Sequence, residues 1–356
     1  MGRSRHLAGV LLTSVVLSLS GAALAVLPTP DTANVRMERA HIQSSPDVVL
    51  AGELHLPAKP AQRPPIVLLL GGGGASPHGI YPLLEAQLNA KGIATFSFDK
   101  RGVGQSTGIF QDAIDVARQD ARAALLYLRS RSDVIDTDRI AILGLSQGAV
   151  IAPALAVEDP PVAALVLLAA PAGQRGQMFL DGMRFKLTAS GMDPEAAEHV
   201  VEAAGLYLDA LTGGGTANTI AARRGAVVQS FVAAGWRADL ADGAVKTLGE
   251  PATSSLYTVA ANAVLAQVKA PVLAIYAAND TTVSTALSMP EARRALANNH
   301  DAMIVEMPDV EHGFKPLVTT PSGKKDYAGW PISDPATLRV IDDWLPQRLL
   351  RARERP

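Results

Sequence analysis

The 356-residue chain contains no cysteine. That excludes a disulfide framework, a thiolate metal site, a cysteine nucleophile and a lipidated N-terminal cysteine. An excess of positive charge is also lacking: 32 Lys and Arg face 34 Asp and Glu, a formal net charge of -2. No nucleic-acid partner is expected, because one would need a basic face. After Leu27 no uncharged apolar run is long enough to cross a bilayer, so the mature chain is not expected to insert stably into a membrane. No internal repeat stands out. What the chain does have is hydrophobic content, 48%, ample for the core of a large α/β domain with an insertion.

The N-terminus has the three parts of a secretory signal. Arg3 and Arg5 give a positive start, Leu7 to Leu19 is a charge-free apolar core, and Ala23-Leu24-Ala25 has the small-x-small form a signal peptidase accepts. Residues 1–25 are therefore expected to be removed, cleavage following Ala25, with the mature chain exported to the periplasm or beyond. A membrane anchor is the competing reading, since Leu7 to Leu27 is just long enough to span a bilayer. Gly21 and the Ala-Leu-Ala site favour cleavage. The two arginines are not adjacent, so a twin-arginine route is not indicated.

Val48 to Leu56 alternates apolar and polar residues and predicts a half-exposed antiparallel edge strand. Ile66–Leu70, Ile140–Leu143, Ala164–Ala169 and Val272–Ala277 are continuously apolar, the pattern of parallel strands covered on both faces. Ala94–Phe98 and Met303–Met307 are shorter and mixed. Helical spacing occupies Leu83–Ala90, Ala113–Arg129, Ala149–Val157, Ala286–Ala297 and Ala336–Leu350. Strand alternating with helix predicts a doubly wound, mostly parallel sheet of about eight strands. The rhythm breaks between residues 173 and 267, where helical stretches near 176–190, 194–211, 216–234 and 254–267 replace strands. This segment is expected to be a helical lid inserted after strand six, leaving 26–172 and 268–356 as the core.

Gly144-Leu145-Ser146-Gln147-Gly148 sits between the apolar run ending at Leu143 and a small-residue helix. A serine hydroxyl at its ordinary pKa is a poor nucleophile and needs both exposure and a neighbouring base. The G-x-S-x-G pattern supplies a sharp strand-to-helix turn that exposes it. The bare pattern is weak; its place between strand and helix is what makes Ser146 the candidate nucleophile. Ligands bind beyond the carboxyl ends of strands in such sheets, so partners should follow apolar runs. Asp280 follows Val272–Ala277, and His312 follows Met303–Met307. The order serine, acid, histidine is that of an α/β-hydrolase.

Of the seven histidines, His6 is in the signal, His41 and His55 lie in the N-terminal edge region, and His199 is in the expected lid. His300 precedes its strand and His78 precedes the serine, so His312 alone fits by place and order. It would take the Ser146 proton during attack and return it to the leaving group. Asp280 would orient the imidazole; Asp309 and Glu311 are too close in sequence to His312 to do so. Gly71-Gly72-Gly73-Gly74 follows the first parallel strand, and an amide of Gly72 or Gly73, with that of Gln147, is expected to form an oxyanion hole. The G-K-[ST] ending of a phosphate loop is missing. Asp99-Lys100-Arg101-Gly102-Val103-Gly104-Gln105-Ser106 marks a tight turn, with Asp99 and Arg101 expected as a buried pair rather than as a contact to a substrate carboxylate.

From about Val48 to Leu350 the chain resembles the α/β-hydrolase superfamily. Its Asp99–Ser106 block looks like that of bacterial secreted esterases related to acyl-thioester hydrolases and dienelactone hydrolases. The resemblance implies a Ser146–His312–Asp280 triad, an acyl-enzyme intermediate, a small-molecule ester substrate, and no cofactor or metal. Many members carry His-Gly at the oxyanion loop where this chain has Gly71-Gly72, which leaves a backbone donor in place but puts the loop conformation in question. Cleavage of carboxylic esters is the leading expectation. A peptidase or amidase on the same triad, an acyl-thioester hydrolase and a catalytically silent binding protein are the alternatives; export fits acyl-CoA poorly. Met178, Phe179, Met183, Phe185 and Leu187 are candidate pocket walls, or simply residues that seat the lid.

Overall fold

The computed structural model describes residues 35–58, 62–320 and 322–350. The expected signal segment and its cleavage site lie outside them. In chain order the elements are β1 (Val35–Ser45), β2 (Val48–Pro57), β3 (Ile66–Leu70), α1 (Pro82–Ala90), β4 (Ala94–Phe98), α2 (Ile114–Ser130), β5 (Ile140–Leu145), α3 (Gln147–Glu158) and β6 (Ala164–Leu168). Then come α4 (Gln177–Ala189), α5 (Pro194–Thr212), α6 (Ala217–Ala233), α7 (Ala238–Gly249), α8 (Pro251–Tyr257) and α9 (Ala261–Leu265). The chain closes with β7 (Val272–Ala277), α10 (Thr285–Ala295), β8 (Ala302–Met307), β9 (Leu317–Thr319), β10 (Lys325–Tyr327) and α11 (Pro335–Leu349). Two compact units result: Gly173–Ala260, all helical, and the sheet unit on either side of it in sequence.

In the sheet unit eight strands run in the order β1-β2-β4-β3-β5-β6-β7-β8. β1–β2 and β2–β4 are antiparallel; every later pairing is parallel. The apolar strands are continuous because both faces are covered. Along β3, Ile66, Leu68 and Leu70 enter one core with Ala121, Leu125 and Leu128 of α2 and Ile151 and Leu155 of α3. Val67 and Leu69 enter the other with Leu84 and Leu88 of α1 and Ile341, Trp344 and Leu345 of α11. Successive side chains of a strand point to opposite faces, so a strand with helices on both sides can be apolar at every position.

One expectation about the N-terminal edge is corrected. Val48–Leu56 is not the edge: β2 has β1 on one side and β4 on the other. The edge is β1, whose only buried residues are Ala40 and Ile42. Its Arg36, Glu38 and Arg39 hide the alternation from sequence reading. They also blunt an otherwise open row of backbone donors and acceptors, a usual role for charge on an edge strand.

The helical unit has its own core, built from Val200, Val201, Ala204 and Leu208 of α5, Val227 and Phe231 of α6, Val245 and Leu248 of α7, and Tyr257. Met183 and Leu187 of α4 are buried in that core, and Phe179 meets Tyr257 edge-on at 6.1 Å between ring centroids. Met178 and Phe185 are half-buried. The helix expected over 254–267 is instead two: α8 ends at Tyr257, and α9 belongs to the sheet unit. Helix α7 was not anticipated, although Ala241, Val245 and Leu248 share a face at i, i+4 and i+7. Gly243 inside it and Gly249 at its end weaken the local propensity that would have announced it.

The expected Asp99–Arg101 pair does not form. Asp99 Oδ1 accepts from the backbone N–H of His78 and lies 2.7 Å from His78 Nδ1, while Oδ2 accepts from Gln105 N at 2.7 Å. Arg101 instead reaches α2, where Nε and Nη2 donate to Asp120 Oδ2 and Oδ1 at 2.7 and 2.6 Å. The turn sends the two side chains to different neighbours. Both members of the Arg101–Asp120 pair are buried, so removing one leaves an uncompensated charge. Arg101→Met should therefore lower unfolding free energy in urea by about 3–5 kcal/mol. A loss under about 1 kcal/mol would show that the pair behaves as a surface contact.

Candidate active site

Ser146 is the first residue after β5 and caps the N-terminus of α3, with φ 54° and ψ -109°. Positive φ is uncommon outside glycine and costs backbone strain. The surrounding chain enforces it. Ser146 N donates to Leu168 O at 2.8 Å, and its own carbonyl accepts from Ala149 N as α3 begins. The two glycines of the pattern have separate steric reasons. A Cβ on Gly144 would lie 2.2 Å from the Gly148 carbonyl oxygen, and one on Gly148 would lie 2.5 Å from that of Leu70. Strand, turn and helix thus approach more closely than any side chain permits, which pushes Ser146 outward on the tip of the turn.

Asp280 and His312 follow β7 and β8, whose carboxyl ends lie beside each other at Ala277 and Met307. The two loops are tied together: Ala278 N donates to Met307 O and Asn279 N to Val310 O. Asp280 is buried, and its Oδ1 accepts from Thr282 N at 2.7 Å and Val283 N at 2.8 Å. That leaves Oδ2, which lies 2.7 Å from His312 Nδ1. A carboxylate only accepts, so Nδ1 carries the proton and Nε2 keeps a free lone pair. The neighbouring Glu311 is turned away, accepting from Lys315 N.

Beyond His312 the chain is locked. Fully buried Phe314 sits at φ 55° and its carbonyl accepts from Ser333 N and Asp334 N, while Gly313 O accepts from Ile332 N. Ser146, Asp280 and His312 therefore occupy the carboxyl edge of adjoining strands β5 to β8. Among the described residues the Asp280–His312 contact is made, and no hydrogen bond joins Ser146 to the imidazole.

The glycine loop lies against the serine. A Cβ on Gly72 would be 3.6 Å from Ser146 Cβ. The side chains of Lys100, Asp112 and Gln147 surround this loop, the first two absent from the sequence-based site. Lys100 Nζ donates to Gly72 O at 2.6 Å, to Asp112 Oδ1 at 3.1 Å and to Gln147 Oε1 at 2.9 Å. Gln147 Nε2 donates to Asp112 O and Oδ1, and Gly74 N donates to Asp112 Oδ2 at 2.6 Å. Burial pulls the Lys100 ammonium below the usual lysine range, although the charge of Asp112 opposes the shift. Lys100 lies within the turn block that stood out in the sequence, whereas nothing around Asp112 marks it there.

Over 141 residues the chain is 35% identical to the uncharacterized protein Rv2307c of Mycobacterium tuberculosis, a match covering 39% of this chain. It spans 48% of that protein, so about half of the curated relative's length is represented. Among solved structures the chain is similar to the Pyrococcus furiosus esterase Pf2001, with a TM-score of 0.54, 16% identity, and 90% and 94% of the two chains covered. It is also similar to the acylaminoacyl peptidase of Pyrococcus horikoshii, with a TM-score of 0.56, 13% identity, and 91% and 43% covered. At these identities the two structures speak for the fold alone. Residues 62–314 match the Hydrolase_4 family, described as serine aminopeptidase, S33. A match that runs from the strand before the glycine loop to the residues after His312 makes this chain a member of that family and an α/β hydrolase.

Proposed function

We propose that this protein is a serine hydrolase that cleaves carboxylic esters through an acyl-enzyme, with Ser146 as nucleophile, His312 as general base and acid, and Asp280 as orienting acid. One observation carries the reading. A serine strained into positive φ at the tip of the β5–α3 turn shares a sheet edge with an imidazole whose Nδ1 is held 2.7 Å from a buried carboxylate. His312 Nε2 would remove the Ser146 proton as Oγ attacks the ester carbonyl, and the carbonyl π electrons would move to oxygen. Collapse of that tetrahedral species expels the alcohol, which takes the proton back from His312. Water, activated by the same imidazole, then releases the acid. The N-terminus of α3 favours the negative charge formed on the way.

The family description and the acylaminoacyl peptidase fold give a second reading, hydrolysis of an amide by the same groups. The glycine loop and triad serve both chemistries equally, so substrate must decide. Processed protein assayed with p-nitrophenyl esters of increasing chain length and with aminoacyl p-nitroanilides should turn the esters over faster. Faster anilide turnover would make it a peptidase. An export role is part of the proposal and rests on the Arg3 to Ala25 pattern; N-terminal sequencing of protein from the periplasmic fraction should begin at Val26.

A further inference from the structure

The Lys100 cluster has no part in the triad, yet a half-buried lysine with three protein acceptors requires a reason. An ammonium has three protons, and here all three are used: on a carbonyl of the glycine loop, on the Asp112 carboxylate and on the side chain of Gln147. Asp112 in turn accepts from Gly74 N and Gln147 Nε2. The cluster therefore grips the glycine loop at two places, Gly72 O and Gly74 N. It also grips the residue that follows the nucleophile.

The grip has a direction. Among the described residues the only cis peptide is Pro160–Pro161, so the Gly72 carbonyl and the Gly73 N–H point to opposite sides of one planar unit. Lys100 fixes the oxygen side, and the Gly73 N–H must face away from the cluster. It makes no hydrogen bond among the described residues. The Gly73 amide is thus left free on the side away from the cluster.

We infer that Lys100 is a positioning residue of the oxyanion hole: through Gly72 O, Asp112 and Gln147 it sets the Gly73 N–H as the donor that acts with the Gln147 N–H. This rests on the ester-hydrolase reading above. The cluster also ties a loop of four glycines at Gly72 O and Gly74 N. Glycine loses more backbone freedom on ordering than any other residue, so such a loop needs external ties.

The test is a comparison of wild type with Lys100→Met, using p-nitrophenyl esters and a trifluoromethyl ketone, whose hemiketal oxygen requires the same donors. Loss of one oxyanion donor costs about 10²–10³ in rate; loosening one should lower kcat roughly 10–100-fold with KM within about threefold. Affinity for the ketone should fall by the same factor as kcat/KM. Asp112→Ala, on a half-exposed loop side chain, should give a smaller change of the same kind and serves if Lys100→Met does not fold. Unchanged kcat and ketone affinity in the folded variant would overturn the inference, as would a raised KM with kcat intact, which would make Lys100 a substrate contact. Both outcomes leave the triad standing. Wild-type protein that a fluorophosphonate does not label overturns the hydrolase reading itself, whatever Lys100 does.

Discussion

Ser146→Ala and His312→Ala should each abolish ester turnover, lowering kcat by about 10⁶. Ser146 supplies the only oxygen positioned by the β5–α3 turn, where φ of 54° holds it outward. Alanine keeps the Cβ but has nothing to acylate. A fluorophosphonate that labels the wild type should leave Ser146→Ala unlabelled. His312→Ala leaves the hydroxyl without a base, and a hydroxyl at its ordinary pKa attacks too slowly to matter at neutral pH. The two residues act as one unit, so the double variant should be no worse than either single one. Background turnover through the oxyanion donors should persist in all three variants, about 10³–10⁴ above water. Additive losses in the double variant would show that the serine and the imidazole work in separate steps.

Asp280→Asn should lower kcat by about 10⁴ with little change in melting temperature. The reasoning is geometric. Two backbone amides, Thr282 N and Val283 N, address one carboxylate oxygen, and His312 Nδ1 addresses the other. An asparagine in this place must turn its carbonyl oxygen to the two amides, which directs its NH₂ group at His312. Nδ1 then has to accept, and the imidazole proton moves to Nε2, the atom that must receive the serine proton. The side chains stay where they are, but the base is blocked by its own tautomer. Fluorophosphonate labelling should slow in parallel. Near-wild-type rates in Asp280→Asn would mean that another acid orients His312.

Strand β3 shows what local pattern encodes well. Five consecutive apolar residues, Ile66 to Leu70, are fully or almost fully buried because helices cover both faces. The same holds for β5, β6 and β7, and two of these strands lead directly to Ser146 and Asp280, whereas His312 follows the mixed, partly exposed β8. Strand β1 shows the opposite. Its burial depends on one face of an edge, two residues deep, and its charges serve solubility more than packing. Helix α7 was missed for a related reason: three buried residues among glycines and charges form a helix only because α5, α6 and α8 are there to receive them.

Charged partners were harder still to read. Asp99 and Arg101 are neighbours in the chain and looked like a pair, yet the turn between them aims one at His78 and the other at Asp120. Lys100, between the two, joins the glycine loop to Gln147.

By itself the sequence determined the parallel sheet and the sharp turn that carries Ser146, since burial on two faces and a glycine-flanked turn are properties of short segments. The tertiary structure alone decided which side chain each buried charge meets and which atoms of the glycine loop are held by Lys100 and Asp112. Those outcomes depend on how segments far apart in the chain approach one another, and a single ion pair or peptide orientation leaves no periodic trace in the residues that make it.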